Sequence, residues 1–142
     1  MLDYPDGEKL DRDAIIGVIC DIWIPAARPD VIRLDNVQRL QTKLVLQGAN
    51  IPITADAEET LHRRGILSIP DFIANAGGVI CAAVEYHGGS RAQALATIDE
   101  KIRANTTEVL AAAERNRTLP RHAALVLAEH RIRSAMGLRR WG

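Results

Sequence analysis

Aromatic side chains make up only 4% of the 142 residues, and the chain holds just two cysteines. Scarce aromatics leave few platforms on which bases could stack, and Arg139-Arg140-Trp141 is too small a cluster to make a nucleic-acid site. Packing of Trp141 against the domain is expected instead. Cys20 and Cys81 lie in apolar stretches and are too few for a disulfide framework, so buried thiols in a reducing cytoplasm are expected. Net charge is absent as well: 18 lysines and arginines balance 18 aspartates and glutamates, so no global positive field draws the chain to nucleic acid or an anionic membrane. No segment is long and apolar enough to span a bilayer. The polar lead-in, residues 1–9, is interrupted by Pro5 and Gly7 and lacks the apolar stretch of a signal peptide. These absences predict a soluble cytoplasmic protein.

What is present, 47% hydrophobic and 25% charged residues, suits one globular domain. After the lead-in, residues 11–18 have a short helical pattern with Asp11 available as a cap. Residues 20–25 read as a buried strand stopped by Pro25. A short helical piece at 35–40 precedes a second strand at 43–47, which Gly48-Ala49-Asn50 ends. Thr54 can cap the next helix, in which Ala57, Leu61 and His62 share a face and Gly65 supplies a left-handed stop. Residues 66–70 form the third strand. Helical periodicity then continues from about Asn75 to a break at Gly88-Gly89, and Ser90 caps a helix reaching Asn116. Its apolar positions are Leu95, Ile98, Ile102, Val109 and Leu110. Pro120 opens a last helix, with Ala124, Leu127, Ala128, Ile132 and Ala135 apolar, ending near Gly137.

The order predicts an α/β protein with a partial Rossmann-like fold: three parallel strands with flanking helices, and a helical C-terminal portion. It is read as a single partial domain, with residues 10–87 nucleotide-binding and 88–142 forming C-terminal helices. In a parallel sheet the exits of all three strands gather along one edge, where doubly wound sheets bind ligands.

Three segments fall at that edge. Ile24-Pro25-Ala26-Ala27 puts two methyl-sized side chains where a flat ring could approach, but taken alone a tight strand exit is the simpler explanation. In Gly48-Ala49-Asn50-Ile51-Pro52-Ile53-Thr54, Gly48 permits a conformation closed to other residues, and Asn50 offers a donor and an acceptor to a ribose hydroxyl or to loop backbone. Pro70-Asp71-Phe72-Ile73-Ala74-Asn75-Ala76-Gly77-Gly78-Val79 feeds an asparagine and paired glycines into a helix start, where free N–H groups favour a polar ligand. Structural glycines at a helix entry are the alternative. The three-glycine spacing of a phosphate fingerprint is lacking.

In order and spacing, these three segments resemble the C-terminal domain of glutamate, leucine, phenylalanine and valine dehydrogenases, a similarity running from about Glu8 to the C-terminus. The resemblance implies hydride transfer that couples oxidative deamination of an L-amino acid to reduction of NAD or NADP. It places Ala26, Ala27, Asn50 and Asn75 beside the nicotinamide and its ribose, with Gly48, Ala49, Gly77 and Gly78 permitting the approach. Val79 and Ala82 are implied to face the substrate side chain. Glutamate-specific members usually carry serine where Ala82 stands, so Ala82 counts against glutamate, unless a basic group in a substrate domain binds the side-chain carboxylate.

The family's phosphate turn, its ribose-binding acidic residue and its acid–base lysine and aspartate all precede the matched region. The chain is therefore expected to begin partway through the nucleotide-binding domain and to be inactive alone, with no catalytic residue and no metal site. His62, His87, His122 and His130 show no metal-ligand spacing and are expected at the surface or in packing, and Arg121, Arg131 and Arg133 on a solvated face. Cys81 is expected to be inert. The rival reading is a non-catalytic oligomerisation or regulatory module: an unpaired sheet edge invites self-association, so a homo-oligomer is expected. A different nucleotide-binding protein is a third.

Overall fold

The three apolar runs pair side by side as one parallel sheet of order β1-β2-β3, formed by Ile22–Trp23, Leu44–Leu46 and Leu67–Ile69. Ile22 stands opposite Leu44, and Val45 opposite both Trp23 and Ser68. An isolated parallel bridge joins Ile32 to Ile53. The computed structural model describes Gly7 and residues 9–138; most of the polar lead-in and Trp141, whose packing the sequence predicts, lie outside them.

Alternation along β2 sends side chains to two cores. Val45 enters one with Ile32, Val37, Leu40, Ile53, Ala57, Leu61 and Ile66. Leu44 and Leu46 pack against the other, built on Ile69, Ile73, Val109, Ala113, Ala123 and Ala124. Helix α1 (Ala55–Arg63) thus covers one face, while α4 (Arg91–Asn116) and α5 (Pro120–Gly137) cover the opposite one. Between them come the single turn α2 (Asp71–Ala74) and α3 (Gly77–Tyr86). This is an α/β, Rossmann-like arrangement.

The helix ends follow from local chemistry. Gly65 takes φ +76° just after α1, and Ile66 N–H donates to Leu61 O at 3.0 Å, a left-handed stop as expected. Ser90 Oγ accepts from Gln93 N–H at 3.3 Å while Gln93 Oε1 accepts from Ser90 N–H at 2.7 Å, the reciprocal box that starts α4. Thr54 precedes α1 but makes no cap bond to its backbone; its hydroxyl pairs with Asp56, whose Oδ1 accepts from Ala57 N–H instead.

Several expectations change. The helix read at 11–18 and the piece at 35–40 are three-residue 3-10 turns, Ile15–Gly17 and Val37–Arg39. Strand β1 is not buried: it is a sheet edge, and Ile22 is 51% exposed because only Trp23 beside it reaches a core. His62 is exposed, and the inward face of α1 is completed by Glu58. Leu95, Ile132 and Ala135 are exposed too, although Ala94 beside Leu95 is buried. Both cysteines are free but only half-buried.

Candidate functional site

The sequence segments predicted to meet at the strand exits do so through direct contacts. Ala49 N–H donates to Pro25 O at 2.7 Å, tying the exit of β2 to that of β1. Asn75 Nδ2 donates to Asn50 Oδ1 at 2.8 Å and lies 3.4 Å from Gly48 O, tying the end of α2 to the same loop. Ala26, Gly48, Ala49, Asn50 and Asn75 are therefore one cluster. Ala26, Ala27 and Asn50 are exposed, and a cleft of about 470 Å³ opens beside the two alanines, lined by Trp23, Pro25, Ala26, Ala27 and Arg28 among others but by neither Asn50 nor Asn75. Gly78, Val79 and Ala82 follow on the exposed side of α3, Val79 being 77% exposed.

The glycines divide by purpose. Gly48 was expected to supply an unusual backbone conformation, but its φ is not positive. A Cβ there would stand 3.1 Å from Ala26 Cβ and 3.3 Å from Ile24 Cγ2, so its bareness lets β1 and β2 exits approach. A Cβ on Gly77 would meet Ile98 of α4 at 3.6 Å, ordinary packing, while one on Gly78 would meet nothing within 4 Å. The open space near this helix start is thus at Gly78 and not at Gly77.

The asparagine pair uses one amide nitrogen and one oxygen, so Asn50 Nδ2 and Asn75 Oδ1 have no hydrogen-bond partner among the described residues. One donor and one acceptor beside two alanines and an open glycine suit a flat carboxamide ring with its ribose. The nicotinamide half of a dinucleotide fits this donor set. None of these groups is cationic or aimed as a phosphate cradle.

A buried polar network beneath the strand exits escaped the sequence reading. Gln47 and Glu58 are buried, as are Ser68 and Asp71. Gln47 Nε2 donates to Glu58 Oε1 at 2.8 Å and to Ser68 Oγ at 3.0 Å. Arg121, from the first turn of α5, donates Nε to Glu58 Oε2 and Nη2 to Gln47 Oε1 at 2.8 Å. Its Nη1 stands 3.0 Å from Asp71 Oδ1, an ion pair without the alignment of a hydrogen bond, and its guanidinium carbon is 5.8 Å from the Phe72 ring centre. Arg121 is thus no part of a solvated face, unlike Arg131 and Arg133, which pair with Glu108 and Glu129 at the surface. A polar residue at an inward-facing strand position, Gln47, two residues after Val45, was the available signal.

Burial alone would push the Asp71 carboxyl up, but the Ile51 N–H bond and the charge of Arg121 outweigh it and hold Asp71 below the usual carboxylate range. Burial would likewise lower Arg121, and Glu58 and then Asp71 more than offset it. Because the folded Asp71 ionises more readily than the unfolded, its contribution is present above the ordinary aspartate value near 3.9 and lost as pH falls through the lowered one. Urea midpoints measured downward from pH 6 should therefore drop below about pH 4, and the drop should shrink in Asp71→Asn. An unchanged acid profile in that variant would contradict the assignment.

The four histidines are exposed, and no group of three His, Cys, Asp or Glu residues that could hold a metal ion occurs among the described residues. Cys81 lies 3.7 Å from Glu85 Oε1. No helix among the described residues is long and apolar enough to cross a membrane.

Parallel strands with helices on both faces, and exits that converge on small residues and paired amides, define an α/β protein of the Rossmann-like class. Comparison narrows that class: the sequence model of the Glutamate/Leucine/Phenylalanine/Valine dehydrogenase family matches residues 2–140, and the chain belongs to this family. It is 36% identical to the glutamate dehydrogenase of Aeropyrum pernix across 98% of its own length and 36% of that protein's. It is 45% identical to the NADP-specific glutamate dehydrogenase of Saccharolobus shibatae over 61% of the chain and 20% of the relative. Among solved structures, the L-tryptophan dehydrogenase of Nostoc punctiforme superposes with a TM-score of 0.81 at 25% identity, over 89% of this chain and 38% of that one. The chain thus spans between a fifth and about a third of the curated relatives' length.

Proposed function

We propose that the chain forms the nicotinamide side of an NAD- or NADP-dependent L-amino-acid dehydrogenase. The observation that carries this reading is the joining of three strand exits through Pro25–Ala49, Ala26–Gly48 and Asn50–Asn75. Ala26, Ala27, Gly48, Ala49, Asn50, Asn75 and Gly78 hold the carboxamide and ribose, with Gly77 packing the helix that starts beside them. When bound, the nicotinamide accepts the hydride released as the amino acid is oxidised to its 2-oxo acid. Val79 and Ala82, one helical turn apart on the exposed side of α3, contact the substrate side chain. Ala82 provides a methyl group where a carboxylate would need a donor, which favours an aliphatic substrate; the glutamate dehydrogenases among the relatives keep glutamate in play.

Deamination also needs a base of tuned pKa beside the substrate, and the site described has none. The isolated chain is accordingly inactive. Incubated with NAD or NADP and L-glutamate, L-leucine or L-valine, the 142-residue chain should form no reduced cofactor. A longer protein carrying an in-frame upstream segment with a glycine turn and a lysine should form it. Turnover by the isolated chain would overturn the assignment of the chemistry elsewhere.

A second reading, a non-catalytic oligomerisation module, is favoured by one observation. The sheet edge at β1 exposes Ile19, Ile22 and Ile24, and α5 exposes Ile132 and Met136. Such surfaces favour self-association, so a homo-oligomer is expected in either reading. Sedimentation of the chain with and without NADP separates them: the module associates and binds no cofactor.

A further inference from the structure

The loop after β2 contains an isoleucine in a conformation that isoleucine avoids. Ile51 has φ +48°, in the left-handed region, where a β-branched side chain is strained. Its side chain is 61% exposed, so burial does not compel this shape. Strain of this kind persists only where the surroundings over-determine it. Here two bonds do so: Ile51 N–H donates to Asp71 Oδ2 at 2.8 Å, and Ile51 O accepts from Asp30 N–H at 3.0 Å. Asp30 is itself at φ +50°.

Asp71 is held from the other side. It opens α2, its backbone carbonyl accepts from Asn75 N–H at 2.7 Å, and its second carboxylate oxygen is 3.0 Å from Arg121 Nη1. Arg121 is fixed in turn by Glu58 and Gln47. One buried carboxylate therefore ties the residue after Asn50 to the turn that ends in Asn75.

We propose that Asp71, locked by Arg121, is a positioning residue for the nicotinamide site: its carboxylate holds Ile51 in the left-handed conformation and so sets the Asn50–Asn75 amide pair. Asp71 does not itself touch the cofactor. The inference rests on the reading of these amides as the ring and ribose contacts. A neutral or shorter side chain at 71 frees Ile51 to relax to an ordinary φ, which turns Asn50 away from Asn75.

The test uses the 142-residue chain, labelled with 15N and titrated with nicotinamide mononucleotide, NAD and NADP. In the wild type, the amides of Gly48, Ala49, Asn50 and Asn75 should shift, and Ile51 N–H should resonate at low field and exchange slowly. In Asp71→Ala the Ile51 signal should lose both features, and the dissociation constant for nicotinamide mononucleotide should rise roughly tenfold, the effect of losing one charge-assisted bond. Asp71→Asn, which keeps the shape, should fall between, and carries the test if the alanine variant does not fold. Val109→Ala, in the core between α4 and α5, controls for stability: it should lower Tm yet leave the dissociation constant within about twofold.

Unchanged binding by a folded Asp71 variant, or equal weakening by Val109→Ala, overturns the positioning role alone. If the wild type shifts with none of the three probes, the cofactor reading fails and this inference fails with it.

Discussion

Replacing Arg121 by methionine is expected to lower the unfolding free energy by about 3 kcal/mol, the lower part of the range for breaking a buried ion pair. The lower part applies because a quarter of the Arg121 side chain remains exposed, whereas the Glu58 and Asp71 side chains are only 5% and 9% exposed. The loss comes mainly from the two carboxylates left in a dry site without a cation, and only in lesser part from the pair's own attraction. That origin has a consequence for a double variant. Glu58→Gln in the Arg121→Met background removes one stranded charge while keeping an acceptor for Gln47 Nε2, so it should restore part of the stability. Urea denaturation of the two single variants and the double variant closes the cycle. If Arg121→Met matches the wild type, the network contributes nothing to folding. If Glu58→Gln fails to help, the attraction and not the stranded charge was decisive.

The second large effect lies at the α3–α4 junction. A Cβ on Gly89 would stand 2.3 Å from Val84 Cγ1 and 2.9 Å from Val84 O. The valine methyl can turn away, but the carbonyl belongs to the helix and accepts from Gly89 N–H at 2.9 Å. Gly89→Ala must therefore shift backbone, at a cost of about 2 kcal/mol by analogy with overpacked cores. Adding Val84→Ala should relieve the first clash and leave the second, so recovery should be incomplete. Thermal denaturation reads both. Because α3 carries Val79 and Ala82, the shift should also appear in their amide spectra; full recovery in the double variant would show that the methyl contact was the whole problem.

Most of this fold was legible because its signals are local. Ser90, Pro120 and Gly65 mark helix ends by chemistry within four residues of the boundary, and α4 and α5 run over the residues the sequence indicates. The three strand exits were legible for a different reason: a parallel sheet brings all its exits to one edge whatever the details of packing. That reasoning, together with the family resemblance, places Ala26, Asn50 and Asn75 at one edge from the sequence alone. The errors are equally instructive. Residues 20–25 read as buried because the run is β-rich, alternates only weakly and stops at Pro25, but burial depends on what covers a strand, and β1 lies at the edge. Gly48 was read for backbone freedom when its role is proximity to Ala26, a contact between residues 22 apart in sequence.

The sequence by itself determined the order of the three strands and of the longer helices, though not the turn α2 at Asp71–Ala74, together with the convergence of three small-residue segments and membership of the dehydrogenase family. Each depends on spacing and on side-chain types that act nearby. Only the tertiary structure decided that Arg121 faces inward. Its partners Gln47, Glu58 and Asp71 lie 74, 63 and 50 residues away, and nothing in its neighbourhood on α5 distinguishes it from Arg131 or Arg133. Nor could the sequence place the left-handed turn at Ile51, since local preference argues against it there. A long-range carboxylate overrides that preference, and such a balance exists only once α2 and α5 have packed against the sheet.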